Sequence, residues 1–190
     1  MPTKPTIKAS TQWYVITGAP SSGKTTTVNL LKERGYKTTI EHARHYIDTQ
    51  RVAGKTVQEI RANQAAFQKS VLDMQIEQER ELSPDETVFL DRALPDALAY
   101  YRFLKLKPDQ KLLKAINRST YKKVFILEPL PLAPDYARTE DETAQKELHR
   151  LLTEVYEALP APVVHVPVLP ANERVDFILN SLLQPNEERL

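Results

Sequence analysis

The sequence predicts an α/β fold of three layers, in which a doubly wound parallel sheet of five strands carries helices on both faces. Five short apolar runs rich in β-branched and aromatic residues alternate with segments whose apolar residues recur at helical spacing. Strands that are apolar throughout are typical of parallel sheets, and right-handed crossovers place the intervening helices on both sides. The order of elements therefore predicts one domain, which 190 residues are enough to form.

Three predicted strands lie in the first half of the chain, and each ends in glycine or a charged residue. They cover residues 13–18, 36–41 and 87–92. A helix is expected over 24–34, because Gly35 follows at the usual stop position. A long helix is expected over 56–82, where apolar residues fall at helical spacing before Pro84.

The second half contains two more predicted strands, over residues 122–129 and 163–168. Pro167 favours an edge position for the last one. The expected helices cover residues 95–107, 109–118, 139–159 and 173–183. A capping box formed by Thr139 and Glu142 begins the third of these, and Asn172 can cap the fourth.

The ends of the chain and one proline-rich loop fall outside this regular pattern. Residues 1–11 and 185–190 are polar and are expected to be tails, the first of them flexible, which leaves one domain over 12–184. Three prolines follow the fourth strand and precede a capped helix. This arrangement predicts a lid around residues 130–158.

Composition excludes several classes of protein. The chain has no cysteine, which rules out disulfides and thiolate metal sites. Its 26 basic and 25 acidic residues give a net charge of +1, so no nucleic-acid partner is expected. No apolar run approaches the roughly 18 residues of a membrane helix, so no membrane insertion is expected. A cytoplasmic protein fits this composition.

The stretch "GAPSSGKT", Gly18–Thr25, matches the phosphate-binding pattern G-x-x-x-x-G-K-[ST]. It follows a predicted strand and opens a predicted helix, which is the context that the motif requires. Backbone N–H groups of the loop and the positive end of the helix then point at one anion. Lys24 would add a positive charge near the β- and γ-phosphates, and Thr25 would offer its hydroxyl to Mg²⁺.

The motif therefore predicts a site for ATP, or for GTP, with Mg²⁺. The residues expected to hold the nucleotide phosphates are Gly18, Ala19, Pro20, Ser21, Ser22, Gly23, Lys24, Thr25 and Thr26. A phosphate-binding lysine faces the ligand rather than the core, so we expect its replacement to leave the fold intact.

Charged residues close two further strands at the same predicted edge of the sheet. Asp91 ends "VFLD", where it could hold the metal or its water shell, or cap the following helix. Arg92 could clamp a substrate phosphate or pair with a nearby acid. Glu41 could take the proton of an attacking hydroxyl, or it could be a solvated acid in the first turn of a helix. Arg44 follows three residues later.

Arg138 and the histidines leave further alternatives open. Arg138 lies in the proline-rich loop, where it could neutralise the transferred phosphoryl group or form a surface salt bridge with Glu140 or Asp141. His42 and His45 have a spacing that could ligate a metal, but no third ligand is evident. The other two histidines, His149 and His165, are isolated in the sequence and are expected to be structural.

Five stretches in this order resemble one known family over about residues 13–183. They are "ITGAPSSGKTTTVNLL", "EHAR", "FLDR", "LPLAPDYARTED" and "VPVLPANERVDFIL". The sequence resembles the P-loop ATP-binding family that includes the ribosylnicotinamide kinase domain of the bacterial NAD-biosynthesis regulator. Some members of this family resemble kinases of small metabolites, and a related animal protein is a trafficking factor that binds GTP and phosphoinositides.

The resemblance implies a nucleoside-kinase-like fold with sheet order 2-3-1-4-5, and ATP and Mg²⁺ at the phosphate loop. It implies that Glu41 and Arg44 face the acceptor, that Arg138 lies in the lid, and that residues 170–174, including Asn172, lie near the adenine. The chain has "DRA" where many deoxynucleoside kinases have Glu-Arg-Ser, and it lacks the substrate signature of classical adenylate kinases. The acceptor is therefore left open.

These observations together predict a kinase that transfers the γ-phosphate of ATP to a hydroxyl of a nucleoside- or metabolite-like small molecule. The residues expected to act in transfer are Lys24, Glu41, Asp91, Arg92 and Arg138; Glu41, Arg44 and Arg92 would contact the acceptor, and Thr25 and Asp91 would hold the metal. The alternative is a nucleotide-dependent switch that acts through a protein or lipid partner.

Overall fold

The protein has two parallel sheets, of which the larger is central. A computed structural model describes residues 9–132 and 141–184. The strands are β1 (Ala9–Ser10), β2 (Trp13–Thr17), β3 (Val88–Asp91), β4 (Ser119–Thr120), β5 (Lys123–Leu127) and β6 (Val163–Val166). The main sheet has the order β3-β2-β5-β6, and β1 pairs separately with β4. Residues 9 and 10, inside the predicted tail, are thus part of the fold.

The main sheet has four strands rather than the predicted five. Their order is the predicted one, with β6 at the edge as Pro167 indicated. The segment predicted as the second strand lies beside β3 but forms only one bridge, between Thr38 and Phe89. The reason lies at Thr39, whose hydroxyl oxygen accepts the N–H of Asp91 at 2.9 Å. Because the Thr39 side chain binds the Asp91 N–H, that N–H is not available for the next backbone hydrogen bond between the two segments, and the pairing stops there.

Eight helices are found in the described ranges 9–132 and 141–184. They are α1 (Lys24–Glu33), α2 (His42–Val52), α3 (Val57–Arg61), α4 (Gln64–Glu81), α5 (Leu94–Phe103), α6 (Gln110–Ile116), α7 (Glu142–Glu157) and α8 (Ala171–Leu182). The predicted helix over 56–82 is divided into α3 and α4, because the Asn63 side chain accepts the N–H of Ala66 and starts a new helix. The sequence did not predict α2.

Two predicted helix caps need correction. The side chain of Asp141 caps α7 by accepting the N–H of Ala144 at 2.8 Å, while Thr139 lies outside the described residues. Asn172 does not cap α8, because the helix begins at Ala171, two residues before the predicted start, and its N-cap residue Pro170 makes no side-chain cap. Residues 142–157 of the predicted lid form α7, so the lid stays a prediction for the segment that precedes this helix.

Alternate residues of β2 face the two sides of the sheet, which makes the three predicted layers. Trp13 and Val15 pack with buried residues of α5 and α7, whereas Tyr14 and Ile16 pack with buried residues of α1 and α8. Helices α2, α3 and α4 share a smaller cluster, formed by Ile47, Ile60, Phe67 and Val71. No helix in the described part of the chain is long and apolar enough to cross a membrane.

A buried acid joins α4 to the start of α5 and to the core. Glu79 accepts the N–H of Leu94 at 3.1 Å and the hydroxyl of Tyr121 at 3.0 Å. Burial raises the pKa of Glu79 from 4.5 to about 7, against the effect of these two donors, and the charge of Asp96 raises it further. The folded protein therefore holds a proton on Glu79 over a pH range where the unfolded chain has lost it.

The raised pKa of Glu79 predicts a pH-dependent stability. The contribution of Glu79 to the free energy of unfolding is full below about pH 4.5 and is lost as the pH rises towards 7. The loss occurs because the unfolded chain releases its proton at a lower pH than the folded protein does. Glu79→Gln keeps the shape and removes the titration. We expect the variant to gain about 3 kcal/mol relative to the parent between pH 5 and pH 8.

Urea unfolding of both proteins at the two pH values measures this difference. Glu81→Gln, at an exposed position on the same helix, is the matched control and should change little. A Glu79→Gln variant whose unfolding free energy parallels that of the parent across this range would contradict the assigned titration.

Candidate functional site

The phosphate loop Gly18–Thr25 connects β2 to α1, as the sequence predicted. Gly23 caps the helix with a φ of +79°, a conformation that favours glycine. A Cβ at Gly18 would collide with the Ser22 side chain and lie 3.1 Å from the carbonyl oxygen of Leu127. The two glycines are therefore required for different reasons, one for its left-handed backbone and the other for close packing.

The carbonyl oxygens of the loop are held by groups from the C-terminal half of the chain. Gln145 Nε2 donates to the oxygen of Pro20 at 2.7 Å, and the N–H of Leu130 donates to that of Ser21 at 2.9 Å. The buried guanidinium of Arg174 donates to the oxygen of Ser22. With these oxygens fixed to the protein, the loop is held rigidly at the start of α1.

Sequence reasoning did not identify Gln145 and Arg174 as supports of the loop. Arg174 also donates to the carbonyl oxygens of Pro167 at 2.9 Å and Glu128 at 2.8 Å. Each of the two is one of many polar residues on an amphipathic helix, and nothing in the sequence distinguishes it from the exposed polar residues nearby. What marks them as supports of the loop is their burial, which only the three-dimensional structure shows.

Lys24 is buried, contrary to the sequence-based expectation. Its side chain is 6% exposed, and its ammonium group forms salt bridges with Glu41, at 2.8 Å, and with Asp91. The lysine thus neutralises two carboxylates that come from different parts of the chain. Its replacement would leave both carboxylates without a partner cation at that position, so we expect its loss to lower the stability of the fold.

The two carboxylates respond differently to the same cation. Burial would raise the pKa of Glu41, but Lys24, Arg92 and Arg44 outweigh that effect and hold the pKa well below its usual value. Burial raises the pKa of Asp91; Lys24 opposes that rise, and the neighbouring charge of Glu41 adds to it. Of the two carboxylates, Glu41 is the one whose charged form the surroundings favour more strongly, and it occupies the N-cap position of α2.

Arg92 lies at the junction of β3 and α5 in a left-handed conformation, with a φ of +66°. Its guanidinium donates to Asp96 at 2.9 Å, lies 3.5 Å from Glu41 and stacks 5.4 Å from the ring centre of Tyr100. A non-glycine residue with such a backbone costs of order 1 kcal/mol or more, which the surrounding contacts offset. Arg92 thus pairs with acids in the structure, one of the two alternatives that the sequence left open.

Asp96 is a site residue that sequence reasoning missed. It is 2% exposed and accepts hydrogen bonds from the Thr17 hydroxyl at 2.5 Å, from Arg92, from the N–H of Ala93 at 3.1 Å and from the Tyr156 hydroxyl. In the sequence it is an acid in the first turn of a helix, a common feature explained by the helix dipole alone. Asp96 orients Arg92 and ties β2, α5 and α7 together.

A pocket of about 850 Å³, counting its open mouth, extends from the phosphate loop to α2, α4 and α5. Its loop end is lined by Ala19, Pro20, Ser21, Ser22, Lys24 and Thr25. Its far end is lined by Glu41, His42, Ala43, Arg44, Ile47, Arg61, Phe67, Gln68, Val71, Gln75, Arg92, Asp96, Ala97 and Tyr100. The structure therefore brings three predicted acceptor residues, Glu41, Arg44 and Arg92, into one cavity with the loop.

Features of the loop fit a bound phosphate chain and a metal ion. Ser22 Oγ is buried and has no hydrogen-bond partner in the described residues, and it lies in the loop that lines the pocket. Thr25 is exposed at the start of α1, where the first N–H groups of any helix lack intrahelical partners. These donors and hydroxyls suit a polyphosphate with Mg²⁺.

Other predicted residues lie away from this pocket or outside the described chain. Thr26 and Asn172 are exposed and do not line the pocket; Arg34 donates to the Asn172 side chain at 3.4 Å. Arg138 lies outside the described residues. The roles predicted for these three residues stay predictions.

The histidines are arranged differently from what their spacing suggested. His42 Nε2 is hydrogen-bonded to Gln78 at 2.6 Å, and His45 is exposed. His149 and His165, isolated in the sequence, lie together with their ring centres 6.4 Å apart.

The chain is similar in sequence to one described protein family. A family model described as an AAA domain matches residues 13–174. No curated protein sequence matches the chain at a significant level.

Solved structures with a similar fold include several kinases. Deoxyadenosine kinase from M. mycoides, with dCMP and dCDP bound, has a TM-score of 0.63 and 16% identity, over 90% of this chain and 98% of that chain. NadR in complex with NR has a TM-score of 0.64 and 17% identity, over 95% of this chain and 53% of that chain. Thymidylate kinase from Ehrlichia chaffeensis has a TM-score of 0.64 and 14% identity, over 93% of this chain and 100% of that chain.

These similarities confirm the predicted nucleoside-kinase-like fold and the resemblance to the family that contains NadR. Identities this low establish the fold and leave the reaction to be argued from the site.

The buried ion pairs of Lys24 predict a stability loss on its replacement. Lys24→Met keeps most of the side-chain volume and removes the charge, which leaves Glu41 and Asp91 close together and uncompensated. We expect a loss of about 3 kcal/mol in the free energy of unfolding. Adding Asp91→Asn should recover part of that loss, because it removes one of the two charges.

Chemical denaturation of the single and double variants measures both effects. Lys32→Met, at an exposed position on the same helix, is the control and should change stability by about 0.5 kcal/mol or less. Equal stability of Lys24→Met and the parent would show that the lysine does not neutralise the two acids in solution.

Proposed function

Since the chain belongs to the AAA domain family, we propose that it binds ATP with Mg²⁺ and transfers the γ-phosphate to a hydroxyl of a nucleoside-like small molecule. One observation carries this proposal: a single pocket is lined both by the phosphate loop and, beyond Glu41, by residues of α2, α4 and α5. A kinase holds its two substrates side by side, and this continuous lining supports such an arrangement. The similarity in fold to deoxyadenosine kinase and thymidylate kinase supports the same reaction class.

The loop end of the pocket would hold the triphosphate. Gly18 to Thr25 supply backbone N–H groups and the positive end of α1, and Lys24 supplies a full positive charge. Mg²⁺ would be held by Thr25 and by Asp91, directly or through water, and would neutralise charge on the phosphates. GTP would fit the same contacts, because none of them reads the base.

The far end of the pocket would hold the acceptor. Its walls combine the flat or apolar side chains of Phe67, Tyr100 and Val71 with the amides of Gln68 and Gln75. Gln75 Oε1 is buried and has no hydrogen-bond partner in the described residues, so it can accept from a donor on a ligand. A ring with apolar faces and polar edges matches this surface, and a nucleoside carries such a ring.

Glu41 would act between the loop end and the far end of the pocket. Lys24, Arg92 and Arg44 lower its pKa, so it is a carboxylate at neutral pH and accepts a hydrogen bond from the acceptor hydroxyl. A triphosphate competes with Glu41 and Asp91 for the charge of Lys24. When Lys24 turns to the phosphates, Glu41 loses its nearest cation and its basicity increases.

The rival function is a nucleotide-dependent switch that acts through a protein or lipid partner. Such a protein needs the phosphate loop but needs no acceptor site in the same pocket. The continuous pocket favours the kinase, and transfer to an acceptor tests it directly.

Glu41→Gln separates the two functions. The amide keeps the size and can still hydrogen-bond, but it is not a base. If Glu41 takes or orients the acceptor proton, we expect phosphoryl transfer to fall roughly a hundredfold or more, while Mg-ATP binding survives. The measurements are transfer from labelled ATP to a panel of nucleosides and related alcohols, and calorimetry of Mg-ATP binding.

The exposed Glu33→Gln is the matched control and should keep full transfer. Undiminished transfer in Glu41→Gln would remove Glu41 from the mechanism but keep the kinase. No transfer to any acceptor by the parent, combined with nucleotide-dependent binding of a partner, would replace the kinase with the switch.

Arg138 provides a test of the predicted lid. If this arginine contacts the transferring phosphoryl group only when the lid is closed, Arg138→Ala should lower kcat much more than nucleotide affinity. Steady-state kinetics and equilibrium binding of ATP measure the two quantities. Equal losses in both would indicate a contact with the bound substrate before transfer, and no loss in either would leave Arg138 without a role in transfer.

A further inference from the structure

A cluster of two histidines and a glutamate lies on the sheet outside the pocket. Glu128 directly follows β5, His149 is on α7 and His165 is on β6. One potential ligand atom from each residue lies within 4.8 Å of the other two. The three residues come from three parts of the fold. The parallel pairing of β5 with β6 sets His165 opposite Ile126, so Glu128 lies two residues further along the neighbouring segment.

The spacing of these atoms suits a metal ion. Glu128 Oε2 lies 3.5 Å from His149 Nε2, and Glu128 Oε1 lies 3.2 Å from His165 Nδ1. In a tetrahedral zinc site with bonds of about 2.0–2.2 Å, neighbouring ligand atoms are separated by about 3.3 Å. Each oxygen of the Glu128 carboxylate therefore lies at about that separation from one imidazole nitrogen.

An outer carboxylate orients one of the histidines. His165 turns Nδ1 towards Glu128, and its other nitrogen, Nε2, lies 3.4 Å from Glu157 Oε1. Metal-binding histidines commonly donate their second N–H to a carboxylate, which fixes the ring and leaves the first nitrogen free for the metal. Glu157 would fill this role at His165, and a bound ion would replace the present contact between Nδ1 and Glu128 Oε1.

The second histidine is more enclosed than the first. The side chain of His149 is 21% exposed, and its Nδ1 is buried without a hydrogen-bond partner in the described residues. Its Nε2 faces Glu128.

We propose that Glu128, His149 and His165 form a binding site for a divalent transition-metal ion of the zinc type, separate from the Mg²⁺ of the phosphate loop. Imidazole nitrogens favour zinc and its neighbours in the first transition row, whereas Mg²⁺ prefers oxygen ligands. The side chains of His165 and Glu128 are 38% and 36% exposed, so the fourth position of the ion is open to water. Bound metal would fasten α7 to the ends of β5 and β6.

Calorimetric titration with zinc chloride tests this site, on protein from which any affinity tag has been removed. We expect about one zinc ion per chain, with Mg²⁺ unable to displace it. His149→Ala and His165→Ala should each weaken binding at least about tenfold, and Glu157→Gln should weaken it about tenfold through the orientation of His165. His45→Ala, which removes an exposed histidine elsewhere, is the matched control and should bind zinc like the parent.

Two measurements on the parent guard against variants that fail to fold. Zinc at about 100 times its Kd should raise Tm by roughly 5 °C, because it binds the native state. Cobalt(II) should give the intense visible absorption of a tetrahedral centre rather than the weak absorption of a six-coordinate ion. No zinc binding by the parent, or equal affinity in His149→Ala, His165→Ala and His45→Ala, would show that the cluster is only a hydrogen-bonded histidine–glutamate group and would overturn the proposal. Unchanged affinity in Glu157→Gln would overturn the orienting role of Glu157.

Discussion

The charge of Lys24 is the constraint on which the candidate site depends. Its ammonium group is buried between Glu41 and Asp91, which come from the start of α2 and the end of β3. A buried cation with two acids is stable only if each group stays paired, so the fold must hold all three elements at one edge of the sheet. The order β3-β2-β5-β6 does so by placing β3 next to the strand that leads into the phosphate loop.

The phosphate loop is fixed to the C-terminal half of the chain through its carbonyl oxygens. Carbonyl oxygens of Pro20, Ser21 and Ser22 are bound from the other side by Gln145, Leu130 and Arg174. These hydrogen bonds hold the loop in place, while Lys24 lines the pocket. Arg174 also holds the carbonyl oxygen of Glu128, so the backbone of the proposed metal site and that of the phosphate loop share one guanidinium.

The sequence predicted those parts of the structure that depend on local patterns. The strand–loop–helix context of Gly18–Thr25 predicted the phosphate loop, the apolar runs predicted four of the strands, and the family resemblance implied their order. The sequence could not predict that the hydroxyl of Thr39 would accept a hydrogen bond from the N–H of Asp91 and so end the pairing of the remaining predicted strand with β3. That outcome depends on the exact approach of two segments that are 52 residues apart in the chain.

The residues of the candidate site also divide into those that local sequence patterns predicted and those that depend on tertiary packing. Glu41, Arg44, Asp91 and Arg92 were predicted because acids and bases at the ends of neighbouring strands meet at one edge. Asp96, Gln75 and Gln145 were missed, because each is an ordinary polar residue of a helix until tertiary packing buries it. His149 and His165 were judged isolated for a related reason, since sequence distance does not show which residues neighbouring strands and helices bring together.

A crystal structure of the protein with Mg²⁺ and a non-hydrolysable ATP analogue tests the central claim most directly. If Lys24 serves the carboxylates and the phosphates in turn, its Nζ should lie about 3 Å from a β- or γ-phosphate oxygen. The carboxylate of Glu41 should then no longer be paired with Lys24 and should face the far end of the pocket. A nucleotide bound elsewhere, with Lys24 still paired to both Glu41 and Asp91, would contradict the account.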